Sequence, residues 1–393
     1  MVFAGARCLK LHRIMLTIVG LWPYQKTVIW QIQAVFFFGV YCCMLFSQFT
    51  PFLTTTCTME CIIKRFTHIC ITFVFILLYY SFYFNSEAVK QMVEHMHFDW
   101  KMFANSDAIK IFEEYLFESY IFALSLCFLY VISAFFVAIV ESKSIILDVI
   151  APMNESRPRK LDLDIEFFVN EEQYFFFYLV QELLGLGIGT WSMLTTGTFL
   201  TTVTKHLCAT YKIVSYLIQN TVTVHTLQLP IVQRIQYMNR NICLSVYIHR
   251  RTLAFCKSLV LSFDIWYFPI VFIGVLSLSG ILFRLYNDIM QFDDLYDILA
   301  YFGVLVCYLL YMFMTNFLAQ SYTDHSVEVL ESTYDTLWYV APLPIQKLFL
   351  IMQKSIRSHK IVVGGLFVAS IEGFSTLVTS AVSYFTVMHA MRL

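Results

Sequence analysis

Hydrophobic positions gather into seven long runs along the chain, and the polar residues between them recur at helical spacing. The runs are Val28 to Phe49, Phe66 to Phe84, Ser119 to Val140, Tyr174 to Val203, Leu259 to Phe283, Ile298 to Leu318 and Ser370 to His389. Each holds about the 20 residues that a helix rising 1.5 Å per residue needs to cross roughly 30 Å of hydrocarbon. The pattern predicts an all-α membrane protein with seven transmembrane helices. Two runs carry an acid away from their polar flanks. Asp264, in the fifth, sits near one edge, where water reaches it cheaply; Glu182, in the fourth, is deeper and reads as a paired structural acid, with a ligand or ion path as the alternative.

Two connections carry structure of their own. From His206 to Lys257 apolar residues (Ile213, Tyr216, Leu217, Ile231, Ile235, Met238) alternate with polar ones at helical spacing, broken near Pro230. This predicts helices that prolong the spans out of the membrane. Near the C-terminus Pro342 and Pro344 suit a first helical turn, and Leu343, Ile345, Leu348, Phe349, Met352 and Ile356 make residues 342 to 359 an amphipathic helix. Gly364 and Gly365 then lead to Ser370, an N-cap for the last span, with Glu372 in a first turn where the helix dipole favours a carboxylate.

Charge sets the orientation. Eighteen of the 26 Lys and Arg fall on the side holding the amino terminus and the even-to-odd connections, and the 204–258 stretch contributes seven of them with no acid. By the positive-inside rule the amino terminus is cytosolic and the carboxyl terminus extracellular. That order is opposite to a G-protein-coupled receptor, and neither a DRY-like triplet nor NPxxY is present. The single N-x-S/T sequon, at Asn154, falls in an external loop and is a glycosylation candidate.

Composition agrees, at 59% hydrophobic, 18% aromatic and 13% charged. A net charge of -1 argues against nucleic acid as a partner. The eleven Cys show no CxxC and set neither a disulfide framework nor a zinc site; Cys57 and Cys61 read as free thiols. The amino terminus (Arg7, Lys10, Arg13, Lys26) lacks the form of a signal peptide, so the first span does the targeting. Gly185-Leu186-Gly187-Ile188-Gly189 has the look of a phosphate loop but no strand before it, and reads as a close-packing or bent site in the fourth helix. Glu94-His95-Met96-His97 has metal-ligand types in the wrong spacing for a helical pair and reads as a solvated turn. No catalytic constellation, cofactor box or metal site is expected.

Tyr334, Trp338, Pro342, Lys354-Ser355, Gly364-Gly365, Ser370-Ile371-Glu372-Gly373-Phe374 and Ser383-Tyr384-Phe385 together resemble the C-terminal signature of insect odorant receptors. The related gustatory receptors end in a Thr-Tyr pair followed by Gln-Phe, which this chain lacks. The resemblance implies an odorant-gated, non-selective cation channel subunit of the tuning type. Its partners would be the family's shared co-receptor in a tetramer, a small volatile organic ligand and the bilayer, in the plasma membrane of olfactory sensory neurons. It implies no cofactor.

It further implies a ligand site among the outer halves of helices two, three, four and six. Candidates there are Phe73 and Leu77; Tyr130, Ser133, Phe136 and Val137; Gln181, Leu184 and Ile188; and Tyr301, Leu305 and Tyr308. Mixed aromatic and hydroxyl side chains suit a small aromatic or ester. The pore would be lined by the last helix, with Val387 at the gate and Ala390 and Met391 further out, closing by dewetting of an apolar ring. The chain then divides into a ligand-binding part (1–203), a cytosolic extension (204–260), helices five and six (261–318), an anchor and re-entry (319–369) and the pore helix (370–393). A gustatory-type channel of the same architecture and a small-molecule transporter are the alternatives, although no inverted repeat favours the latter.

Overall fold

The computed structural model describes residues 4–25, 28–54, 59–150, 167–169, 173–291 and 295–391. Asn154 and Cys57 lie outside them. In chain order the helices are α1 (Ala4–Ile18), α2 (Val28–Phe49), α3 (Pro51–Thr54), α4 (Met59–Phe84), α5 (Ser86–Phe103), α6 (Ile109–Glu141), α7 (Lys143–Ile150), α8 (Phe175–Gln219), α9 (Val224–Leu227), α10 (Ile231–Met290), α11 (Leu295–Asp335), α12 (Leu343–Ser355) and α13 (Ile371–Ala390). Among the described residues six helices are apolar and long enough to cross a membrane. They contain the first six runs. The seventh, α13, has 20 residues, six of them Ser or Thr.

Two helices far exceed a span. At 1.5 Å per residue the 45 residues of α8 reach about 67 Å and the 60 of α10 about 90 Å. Both run past the bilayer into the extension the sequence predicts. The break between them falls where expected: Thr223 caps α9 through a reciprocal capping box with Thr226, and Pro230, whose nitrogen has no hydrogen to leave unpaired, caps α10. Pro269 inside α10 removes one helical hydrogen bond without ending the helix.

The interior is divided between three main clusters. In the extension Tyr211, Val214 and Met238 pack with Tyr322, Ile345 and Phe349, joining α8, α10, α11 and α12. A second cluster binds α1, α2, α4 and α8, and a third, around Leu278, Leu305 and Ala381, joins α10, α11 and α13. The helix α1 had no counterpart among the predicted elements. It docks because His12 Nε2 meets the Thr202 hydroxyl at 2.7 Å, as does Ser119 Oγ at 2.6 Å, so one buried hydroxyl of α8 ties in α1 and α6.

Three local readings need correction. The 85–118 connection is largely helical, and His95, read as part of a solvated turn, lies in α5 beside buried Asp99. Its partner one helical turn on was what the spacing argument left out. Asp264 is not simply solvated: its Oδ1 accepts the Gly364 backbone N–H at 2.5 Å. That bond ties to α10 a hairpin of β1 (Val362–Val363) and β2 (Phe367–Val368), which links the two expected helices, and the first of these, α12, ends at Ser355 instead of at residue 359. Gly364 sits at φ +61°, and a Cβ there would fall 1.9 Å from the Phe268 ring, so only glycine fits. Finally, Ser370 caps α13 as predicted, its Oγ accepting the Gly373 N–H at 3.0 Å.

Candidate ligand site and pore helix

Helix α8 is the axis of the candidate site, because its glycines let four neighbours approach. A Cβ on Gly185 would fall 2.2 Å from Met44 Sδ of α2, and one on Gly189 2.3 Å from the Phe75 ring of α4. Between them Gly187 takes α6: Tyr130 donates its hydroxyl to the Gly187 carbonyl at 3.1 Å. Two turns on, a Cβ on Gly197 would fall 3.3 Å from the Tyr311 ring of α11. The Gly185–Gly189 motif is thus a close-packing site, in an unbroken helix.

The sequence candidates separate into groups around this axis. Tyr130 sits edge-on to Trp191 with ring centroids 5.0 Å apart, and Ile188 and Trp191 pack together on the second cluster. Ser133 bonds back to the Tyr130 carbonyl at 2.9 Å; Phe136 is exposed and Val137 half-buried. On α4, Phe73 is exposed and Leu77 half-buried, on the side opposite the packed residues Val74, Phe75 and Leu78. Leu184 is exposed, whereas Gln181 turns to α2, its Nε2 donating to the Val40 carbonyl at 3.4 Å. The α11 residues face elsewhere again. Tyr308 donates to the Gly274 carbonyl of α10 at 3.2 Å, Leu305 is buried in the α10–α11–α13 cluster, and Tyr301 lies under the Arg284 guanidinium at 4.7 Å. Trp191, on α8 itself, and Tyr311, against α8, were not singled out from the sequence; the helical glycine Gly197 was the signal for Tyr311. Glu182 is buried on α8, as its depth in the run implied. A groove of about 250 Å³ along α1, lined by Arg13, Ile14, Thr17, Ile18, Trp22 and Gln25, involves none of these residues.

Helix α13 has two unlike faces. Leu377 and Ala381 are buried against α10 and α11, and Phe385 and His389 contact Tyr286 at centroid distances of 5.8 and 5.0 Å. On the opposite side Glu372, Thr376, Thr379, Ser383, Thr386 and Ala390 recur every three or four residues, all exposed. Their hydroxyls bond back to the helix: Thr376 to the Glu372 carbonyl and Ser383 to that of Thr379. Val387 flanks this stripe and Met391 lies just beyond it, 54% and 55% exposed.

A family model described as 7tm Odorant receptor matches residues 58–382. The chain belongs to the odorant receptor family. The fold agrees, since the receptor superposes on the insect olfactory receptor OR5 of Machilis hrabei in complex with eugenol with a TM-score of 0.76 at 12% identity, covering 98% of this chain and 97% of that one. Against a second structure of OR5 from the same species the values are 0.73 and 11%, with 97% of each chain covered. No curated protein matches the sequence. The receptor is a multi-span membrane protein of a family of receptors rather than enzymes.

Proposed function

We propose that the receptor is a subunit of an odorant-gated cation channel. It binds a small volatile organic ligand within the helix bundle, and α13 lines the pore. The observation that carries this reading is the exposed stripe from Glu372 to Ala390 directly opposite the packed Leu377 and Ala381. A span with a hydroxyl-rich face turned away from its own bundle suits a polar lumen shared with other subunits better than lipid. With the amino terminus cytosolic, the extensions of α8 and α10 together with α12 form an anchor on the cytosolic side, and Val387, Ala390 and Met391 stand near the outer mouth. Val387 gates as one member of an apolar ring.

The ligand site is centred on Tyr130, Ile188 and Trp191 at the α6–α8 contact. That the related OR5 structure carries eugenol supports a small aromatic ligand with a hydrogen-bonding group. Binding opens the channel by favouring the open arrangement over the closed one. The receptor acts as a tuning subunit with the family's co-receptor in a tetramer, in the plasma membrane of olfactory neurons. The test is whole-cell current with and without the co-receptor, under G-protein blockade, across a panel of aromatic and ester volatiles. Odorant-evoked cation current in the co-expressing cells alone is the expected result; surface-expressed receptor that gives no current in either condition contradicts it.

A further inference from the structure

Where the membrane helices pass into the extension, three metal-ligand side chains meet. His95 and Asp99 stand one turn apart on α5, and His206 comes from α8; one donor atom from each lies within 4.8 Å of the others. Both imidazoles converge on the same carboxylate oxygen. His206 Nε2 is 3.0 Å and His95 Nδ1 3.1 Å from Asp99 Oδ2, and the Asp99 and His206 side chains are only 4% and 1% exposed. Arg251 of α10 holds the other oxygen, Oδ1. His95 Nδ1 has the distance to Asp99 but not the direction of a hydrogen bond, and that nitrogen is buried with no hydrogen-bond partner among the described residues. Both rings are held in place, His206 stacked on Phe112 at 4.9 Å and His95 on Phe255 at 4.0 Å.

We propose that His95 Nδ1, Asp99 Oδ2 and His206 Nε2 form a binding site for a divalent transition metal, zinc above all. Two imidazoles and one carboxylate are donors suited to zinc, whereas calcium and magnesium demand six or more oxygens. With zinc bonds near 2.1 Å, tetrahedral geometry sets neighbouring donors about 3.4 Å apart. The two measured separations are within a few tenths of this, and the third, between the two imidazole nitrogens, lies within 4.8 Å and shortens when a metal draws them in. Arg251 on the far carboxylate oxygen plays the orienting part that outer partners play in metal sites, while its charge keeps the affinity moderate. The site joins α5 to α8 between two hydrophobic clusters, since Trp100 and Phe255 pack against both. Metal there would brace the neck between the membrane bundle and the extension.

The experiment uses the full chain purified in detergent, stripped with chelator and reloaded with Zn²⁺ or Co²⁺, and needs no channel activity. The expected result is about one metal per chain, with the intense visible absorption of tetrahedral cobalt, and affinity at least 10-fold weaker in His95→Gln and in His206→Gln variants that elute as the wild type does. Should a variant not fold, Cu²⁺ bound to the wild type still reports its ligands, and hyperfine coupling to two imidazole nitrogens is expected. A wild-type chain that takes up no stoichiometric metal, or variants that bind it as tightly with the same spectrum, overturns the site.

Discussion

Tyr130 donates a 3.1 Å hydrogen bond to the Gly187 carbonyl, which ties α6 to α8 at the point where α8 has no side chain. The same carbonyl is 3.4 Å from the Thr190 hydroxyl, so it keeps a partner if Tyr130 is removed. Tyr130→Phe should therefore cost only about 1 kcal/mol of stability. If the ring borders the ligand, the concentration for half-maximal current should rise several-fold for odorants with a hydroxyl or carbonyl, with the maximal current kept. Unchanged responses across such a panel would take Tyr130 out of the ligand site.

The two neighbouring glycines should differ sharply. A methyl group at Gly189 falls 2.3 Å from Phe75, a ring carbon that is buried, whereas at Gly187 the nearest atom is Tyr130 Oη at 3.9 Å. Gly189→Ala should lose about 1–3 kcal/mol through overpacking and lower surface expression. Gly187→Ala should express like the wild type. Equal expression of the two would mean that α4 and α8 are further apart than described.

Burial holds the His12 imidazole down to about 4, well below the usual 6.5, because its charged form would lose its water. The folded state then carries fewer protons than the unfolded one between those values. Stability from this residue is complete above pH 6.5 and falls as the pH drops toward 4. The melting temperature of the wild type should decline more between pH 7.5 and 5 than that of His12→Gln. Parallel declines would show that α1 does not bury this residue.

Much of the fold was legible because a membrane demands uncharged runs of fixed length, and few other structures produce them. Helix α13 begins within one residue of its expected start because Ser370 and Glu372 are local signals. The extension was legible from Pro230 and the helical spacing on both sides of it. Helices α1 and α5 were not, since their buried faces are short and mixed with polar groups such as His12 and Asp99. What stabilises those groups, Thr202 and His206, lies more than a hundred residues away in sequence. The resemblance likewise put Gln181 and Tyr308 among the ligand-site candidates but could not name their neighbours, and they turn to α2 and α10.

The hairpin before α13 is tied to α10 through the Asp264 carboxylate. Asp264→Ala deprives the Gly364 N–H of its acceptor, and Gly364→Ala adds strain at positive φ together with the Phe268 clash. Both should reduce surface expression and evoked current, Gly364→Ala the more. Asp264→Asn, whose amide oxygen still accepts, should stay near wild type. A loss in Asp264→Asn as large as in Asp264→Ala would show that the charge, not the acceptor, matters.

The pore assignment is tested most directly by cysteine accessibility along α13. Single cysteines at Thr379, Ser383 and Val387, on or beside the exposed stripe, and at Leu377 and Ala381, on the packed face, would be expressed with the co-receptor and challenged with a charged methanethiosulfonate during odorant-evoked current. Modification should block or alter current at the first three positions and leave it unchanged at the other two, faster when the odorant is present. Equal reactivity on both faces, or no effect of modification on current at Thr379, Ser383 and Val387, would contradict a pore lined by this helix.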